Sequence, residues 1–180
     1  MAKLTMTEAL AELKTIDKKI QKKCEFIHTY LLRFEQMKDP LLQEGGSVTA
    51  IEREFQGIKD LEDRKVLIRR RIAETNLETM VTVNNVSRSI ADWLVWRRDV
   101  SKAHADFLKM LHMKVEQARQ EAAKRGSSLV SVDIANAKTN DIVVNLNEKK
   151  LAAQREELEE ILGNLDGQLS LKNAVTTIDV

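Results

Sequence analysis

Apolar residues recur along this chain at helical spacing in four stretches, separated by short runs that look like strands. The first stretch opens at Thr5, where Glu8 three residues later completes a capping box. Leu10, Leu13, Ile20, Cys24, Ile27, Leu31 and Phe34 follow in steps of three and four, broken only at Asp17. That is the seam of a long amphipathic helix, predicted to run to Met37. Asp39 and Pro40 stop it, because proline disfavours helical backbone in the residue before it. After a loop holding Gly45 and Gly46, Thr49 and Glu52 offer a second capping box. A helix carrying Ile51, Phe55, Ile58, Leu61, Ile68 and Ile72 on one face follows, with Lys65 interrupting. Similar lengths and a short connection predict a long antiparallel helical hairpin.

Around residues 77–83 the pattern changes. Met80, Val81, Thr82 and Val83 are followed by Asn84 and Asn85, which predicts an extended segment ending in a turn. A third helix is predicted from about Val86 to Lys124, with Val86, Ile90, Trp93, Val100, Phe107, Leu111 and Val115 as its stripe. Arg97 and His104 occupy two positions of that seam, and Gly126 closes the helix as a C-cap. Leu129 to Ile134 and Ile142 to Leu146 are rich in β-branched residues. A β-hairpin or small two-stranded ribbon is expected there, turning between Ala135 and Asp141. A fourth helix from about Glu148 carries Leu151, Leu158, Leu162, Leu165 and Leu169, with Gly163 and Gly167 weakening its end. Residues 174–180 read as a final strand, free to pair with Met80–Val83, the 129–146 ribbon or a neighbouring chain. The expected fold is therefore mainly α, a bundle of four helices with a small β element at about 77–83, 129–146 and 174–180. Three regions are expected within one domain. Residues 1–126 form the long-helix bundle, 127–147 a hairpin-like insertion, and 148–180 a helix and strand packing back on the bundle.

Composition agrees with that class. Charged residues make up 32% against 4% aromatic, and Pro40 is the single proline. The 29 basic and 28 acidic residues nearly cancel, so no overall charge drives the chain toward nucleic acid or an anionic membrane. No apolar run approaches the roughly 20 residues of a membrane span. The N-terminus has no charged-then-apolar pattern of a signal peptide, which implies synthesis in a reducing cytoplasm. Cys24, the lone cysteine, lies on the expected seam and reads as a buried thiol.

The chemistry-bearing patterns are missing. Gly45 and Gly46, like Gly163 and Gly167, lack the strand-to-helix setting and the lysine of a phosphate loop. His104 and His112 stand eight residues apart on one helix, too far to share a metal at one-turn spacing, and His104 reads as a packed core histidine. Glu156, Glu157, Glu159 and Glu160 flank Leu158 and Ile161 and read as a solvated face. No catalytic, metal-binding or cofactor-binding residue is assigned, and the chain is read as non-enzymatic. Lys18, Lys19, Lys22, Lys23, Arg69, Arg70, Arg71, Arg97 and Arg98 each have acids nearby and no interleaved aromatics, so salt bridges explain them better than a nucleic-acid surface. Trp93 and Trp96 make the densest apolar cluster. They are core anchors in one reading and, with Arg97 and Arg98 beside them, interface anchors in the other.

Residues 61–76 and 86–99 resemble the septicolysin-like bacterial helical proteins. In those, a helix ends in a pattern like Ile72, Thr75 and Asn76, and a short crossover leads to a helix bearing pairs like Ala91 with Asp92 and Arg98 with Asp99. Leu165 with Asp166 and Asn173 with Ala174 add to the likeness, which covers about half of the chain. The resemblance implies a helical protein. The lytic activity in the family's name is not carried over, because no membrane-inserting segment accompanies it.

Long seams without chemistry point to a structural or assembly protein, working as an oligomer or as a subunit of a larger particle. Bacteriophage particles are rich in small helical proteins, so a virion component (capsid, connector or tail accessory) is the most specific form of that expectation. The other expectation is a cytosolic septicolysin-like binding module that uses a local basic patch. The residues expected at an interface are Trp93, Trp96, Arg97, Arg98, Arg69, Arg70, Arg71, Ile178 and Val180.

Overall fold

The computed structural model describes residues 3–131 and 140–180, with Ser131 described by its backbone alone. The fold is mainly α with a small β element, as the patterning predicts. Two compact units form, one from residues up to Thr79 together with Ser170–Val180, the other from Met80–Leu169.

In the first unit, β1 (Lys3–Thr5) leads into α1 (Met6–Tyr30). The capping box is formed. The Thr5 backbone N–H donates to Glu8 at 2.8 Å, and the Glu8 N–H donates to the Thr5 hydroxyl at 3.2 Å. The buried stripe of α1 is Met6, Ala9, Leu13, Ile16 and Ile27, with Ile20 and Lys23 half-buried between them. These positions step by three and four throughout, as a coiled-coil seam should. The expected stripe lies partly beside the real one, since Leu10, Cys24, Leu31 and Phe34 are exposed. Cys24 is therefore a surface thiol and not a core one.

Helix α2 (Ser47–Glu78) runs antiparallel to α1. Ion pairs between Lys23 and Glu54 at 2.7 Å, Glu12 and Arg64 at 2.9 Å, and Asp17 and Lys65 at 2.6 Å fix the register. That register also explains why α1 ends at Tyr30, short of the expected Met37. Seven residues beyond Lys23 is Tyr30, and seven before Glu54 is Ser47, the first residue of α2. Past Tyr30 no helix stands opposite to bury an apolar face, and most helical stability comes from such burial. The connection is closed by Asp39, whose carboxylate accepts from the backbone N–H of Leu41 and of Ser47 at 2.9 and 2.8 Å and from the Ser47 hydroxyl. Gly45 and Gly46 follow with φ of 99° and 90°, a region that side chains with a Cβ disfavour. Helix α2 thus starts at Ser47, two residues before the expected Thr49.

The final strand, β6 (Thr177–Asp179), pairs antiparallel with β1, with Leu4 opposite Ile178. Neither Met80–Val83 nor the described part of the 129–146 ribbon is its partner, and the helix before it persists to Val175. Ile178 drops into the same core as Met6, Ala9, Leu13, Ile16, Ile68 and Ile72.

The second unit begins with a hairpin, β2 (Met80–Val83) and β3 (Val86–Ser89). Asn84 and Asn85 have φ of 45° and 65°, both left-handed, as a two-residue turn matched to strand twist requires. Residues 86–89 are therefore strand, where the apolar spacing predicts the start of a helix. Helix α3 (Ile90–Val95) starts behind Ser89, whose hydroxyl accepts from the Asp92 N–H at 3.1 Å and donates to the Asp92 carboxylate at 2.7 Å. It continues through a π-helical segment, Trp96–Ser101, into α4 (Lys102–Lys124). The extra residue of a π turn shifts the helix face. The buried line accordingly runs through Ser101, Leu108, Val115 and Ala122, while the expected Val100 and Phe107 are exposed.

Strands β4 (Leu129–Ser131) and β5 (Ile142–Val144) pair in parallel. The expected ribbon exists, but it is not a hairpin; the end of its first expected run and most of its expected turn, residues 132–139, lie outside the described residues. Helix α5 (Glu148–Val175) carries the buried line Leu151, Leu158, Leu165 and Leu169. Leu165 and Leu169 pack with Val81, Val83, Ile90 and Trp93, while Leu151 and Leu158 pack with Leu108. Gly163 and Gly167 sit inside this helix without ending it.

Candidate interaction surfaces

The residues expected at an interface divide sharply by exposure. Trp93 is 3% exposed and belongs to the core of the second unit. Its indole N–H donates to the Val81 carbonyl at 2.9 Å, and the Arg88 guanidinium lies 5.1 Å from its ring centre. Trp96 meets it edge to face at 5.4 Å and stays half-buried, packed against both clusters of that unit. Ile178 is buried in the first unit, with Val180 packed against the same cluster. Trp93 and Ile178 thus leave a partner almost no surface to touch, because β2 and the paired chain ends cover them.

Four of the five arginines have an ion partner, two of them sharing one carboxylate. Arg97 pairs with Asp166 at 2.6 Å, Arg98 with Asp99 at 2.8 Å, and Arg70 and Arg71 with Glu74 at 3.8 and 3.0 Å. The side-chain bond between Arg98 and Asp99 holds the guanidinium pKa above and the carboxyl pKa below their ordinary values. Arg69 is exposed and has no ion partner among the described residues. Arg69, Arg70 and Arg71 belong to the first unit, Arg97 and Arg98 to the second.

Two exposed apolar surfaces include residues that the sequence pattern places on seams, Leu31 and Phe34 in one, Val100 and Phe107 in the other. At the far end of the α1–α2 hairpin, Leu32 and Phe34 are 86% and 78% exposed, accompanied by Leu31, Met37 and Leu42. A groove of about 540 Å³ at this end is lined by Tyr30, Leu32, Arg33, Phe34, Met37, Lys38 and Pro40 among others. Asp39 anchors this connection, and its bonds from the Ser47 hydroxyl, then the Ser47 and Leu41 N–H groups, hold its pKa below the usual carboxylate value.

The second surface is the outward face of α4. Phe107, Met110 and Met113 are 50%, 57% and 52% exposed, and Val100 adds to them just before the start of the helix. A groove of about 360 Å³ runs along this face, lined by Met110, Leu111, Met113, Asp106, Lys114 and Gln117 among others. Of the expected stripe, Val115 is buried and Leu111 half-buried, whereas Val100 and Phe107, read without the one-residue shift of the π turn, face outward.

The potential chemistry is sparse. His28, His104 and His112 are all exposed, so His104 is a surface residue and not the packed one expected. Glu156, Glu157, Glu159 and Glu160 are solvated as expected. Among the described residues no three His, Cys, Asp or Glu side chains converge on a point that could hold a metal ion. No helix among them is long and apolar enough to cross a membrane. No family model, curated protein or solved structure matches the chain.

Proposed function

We propose that this chain is a non-enzymatic assembly protein, which joins copies of itself or partner proteins through helical faces. The observation that carries the reading is the grouping of its exposed apolar side chains. Large apolar residues scattered singly over a surface need no explanation, whereas contiguous ones mark contact sites. Here Phe107, Met110 and Met113 follow one helix face, and Leu31, Leu32, Phe34 and Met37 crowd one end of a hairpin. Aromatic residues and methionine are enriched at protein interfaces, and charged residues are depleted at their centres. A subunit of a bacteriophage particle is the most specific form of this proposal; its support is the abundance of small helical proteins in such particles.

The alternative, a septicolysin-like module binding an anionic partner through its arginines, has less free charge to draw on, since Arg70, Arg71, Arg97 and Arg98 are ion-paired. Sedimentation velocity over a range of concentrations tests the assembly reading. The expected result is a mass rising above the 20.5 kDa of one chain as concentration increases. A 20.5 kDa species at every concentration would overturn the self-assembling form.

A further inference from the structure

We propose that the outward face of α4 is a self-complementary dimer interface, two copies packing this helix antiparallel about a two-fold axis at Met110. The inference rests on the assembly reading and names its partner as a second copy of this chain. At 100° per residue, Ala103, Asp106, Met110, Lys114, Gln117 and Glu121 lie within about 40° of one line along the helix. Phe107 and Met113 flank that line on opposite sides. All of these residues are exposed or half-exposed, and the buried residues Leu108, Val115 and Ala122 point the other way.

A two-fold axis at Met110 pairs residues whose numbers sum to twice 110. Met110 then meets Met110, and Phe107 meets Met113 on both sides of the axis. Asp106 meets Lys114 of the second copy, again twice by symmetry. The apolar centre is thereby closed at each end by an opposite-charge pair. A parallel, in-register pairing would instead oppose Asp106 to Asp106 and Lys114 to Lys114, so charge selects the antiparallel form. Farther out, Glu121 comes to face the turn that holds Asp99, but each is already neutralised within its own chain, Asp99 by Arg98 and Glu121 by Arg125. Methionine at the axis suits a contact between identical side chains, because its unbranched thioether adapts to the space left by its twin. A single helix pair of this length buries on the order of 1,000 Å², the lower end of specific interfaces, so a reversible dimer is expected.

The test is sedimentation equilibrium on the full chain, its Asp106→Lys and Lys114→Asp variants, and the double variant. All substituted positions are exposed on a helix, and far-UV circular dichroism verifies the fold. The wild-type chain should dimerise. Each single reversal turns two attractions into two repulsions and should weaken the dimer about tenfold or more. The double variant exchanges the charges and should recover wild-type affinity. A dimer indifferent to the single reversals would overturn the α4 interface while leaving the assembly reading intact, as would failure of the double variant to recover. A chain that is monomeric at every concentration would remove both the interface and self-assembly.

Discussion

Replacing Trp93 with phenylalanine separates a core role from an interface role. The indole ring is 3% exposed, donates to the Val81 carbonyl at 2.9 Å, and packs edge to face on Trp96 at 5.4 Å. Phenylalanine keeps an aromatic ring but removes the donor and the second ring of the indole. The hydrogen bond contributes about 1 kcal/mol net. The lost apolar contact and the small void left behind add about 1 to 2 kcal/mol. The second unit should therefore lose about 2 to 3 kcal/mol, and with a urea slope of roughly 1 to 3 kcal/mol per molar its midpoint falls by about 1 M. Urea unfolding followed by far-UV circular dichroism reads this directly, and Trp96 remains as a fluorescent reporter of the same unit. An unchanged midpoint combined with lost self-association would refute the reasoning, because Trp93 would then belong to an interface.

Other perturbations address other parts of the molecule. Ile68→Ala, at a fully buried site against α1, should cost the first unit about 2 to 5 kcal/mol in denaturant unfolding; a cost below that range would mean this core collapses around the void. Asn85→Gly should raise stability by about 0.5 to 1 kcal/mol, since φ of 65° suits glycine better and asparagine followed by glycine is a preferred two-residue turn; an unchanged or lowered denaturation midpoint would contradict this. Asp39 has a depressed carboxyl pKa, so its contribution is full above the ordinary carboxylate value and is lost as pH falls through the lower folded one. Acid titration of Asp39→Asn should show a flatter loss of stability in that window, and a profile identical to wild type would contradict the role given to the Asp39 bonds. Cys24 should react with a maleimide in the native state without denaturant, whereas a thiol silent until unfolding would restore the buried reading.

Helices are easier to read from this sequence than the faces they bury. On α1 the expected and the buried stripes share Leu13, Ile20 and Ile27 and differ by one residue at the positions between, and α2 decides between them. The chosen stripe uses Ala9 beside Leu13 and Ile16, and the facing seam of α2 uses Ser47, Ala50 and Gly57, small residues that a hydrophobicity pattern undercounts. On the helix over residues 90–124, the π turn moves the buried line by one residue, and nothing in the spacing of apolar positions announces such an insertion. The hairpin at residues 80–89 is half legible. Asn84 and Asn85 announce the turn, but the apolar spacing absorbs Val86 to Ser89 into the following helix. Ser89 with Asp92 three residues on is a capping signal that places the helix start correctly. Residues 174–180 read as a strand in the sequence, but β1 is too short to carry a pattern, so the pairing of β1 with β6 is not legible there. The same features hide which apolar residues are exposed. Leu31, Phe34 and Phe107 fit the spacing of seams, although the register of the hairpin and the π turn expose them.

The claim that chains meet on the outward face of α4 is tested most directly by a cysteine at the proposed axis, Met110→Cys in a Cys24→Ser background. Helices packed about 8 to 10 Å apart, each with its Cα atoms about 2.3 Å from the axis, bring facing Cα atoms to within about 5.5 Å, inside disulfide range. Mild oxidation should convert the variant to a covalent dimer, and faster than Met113→Cys in the same background, because that cysteine would face Phe107 of the second copy. No covalent dimer, or equal rates at the two positions, would contradict the account.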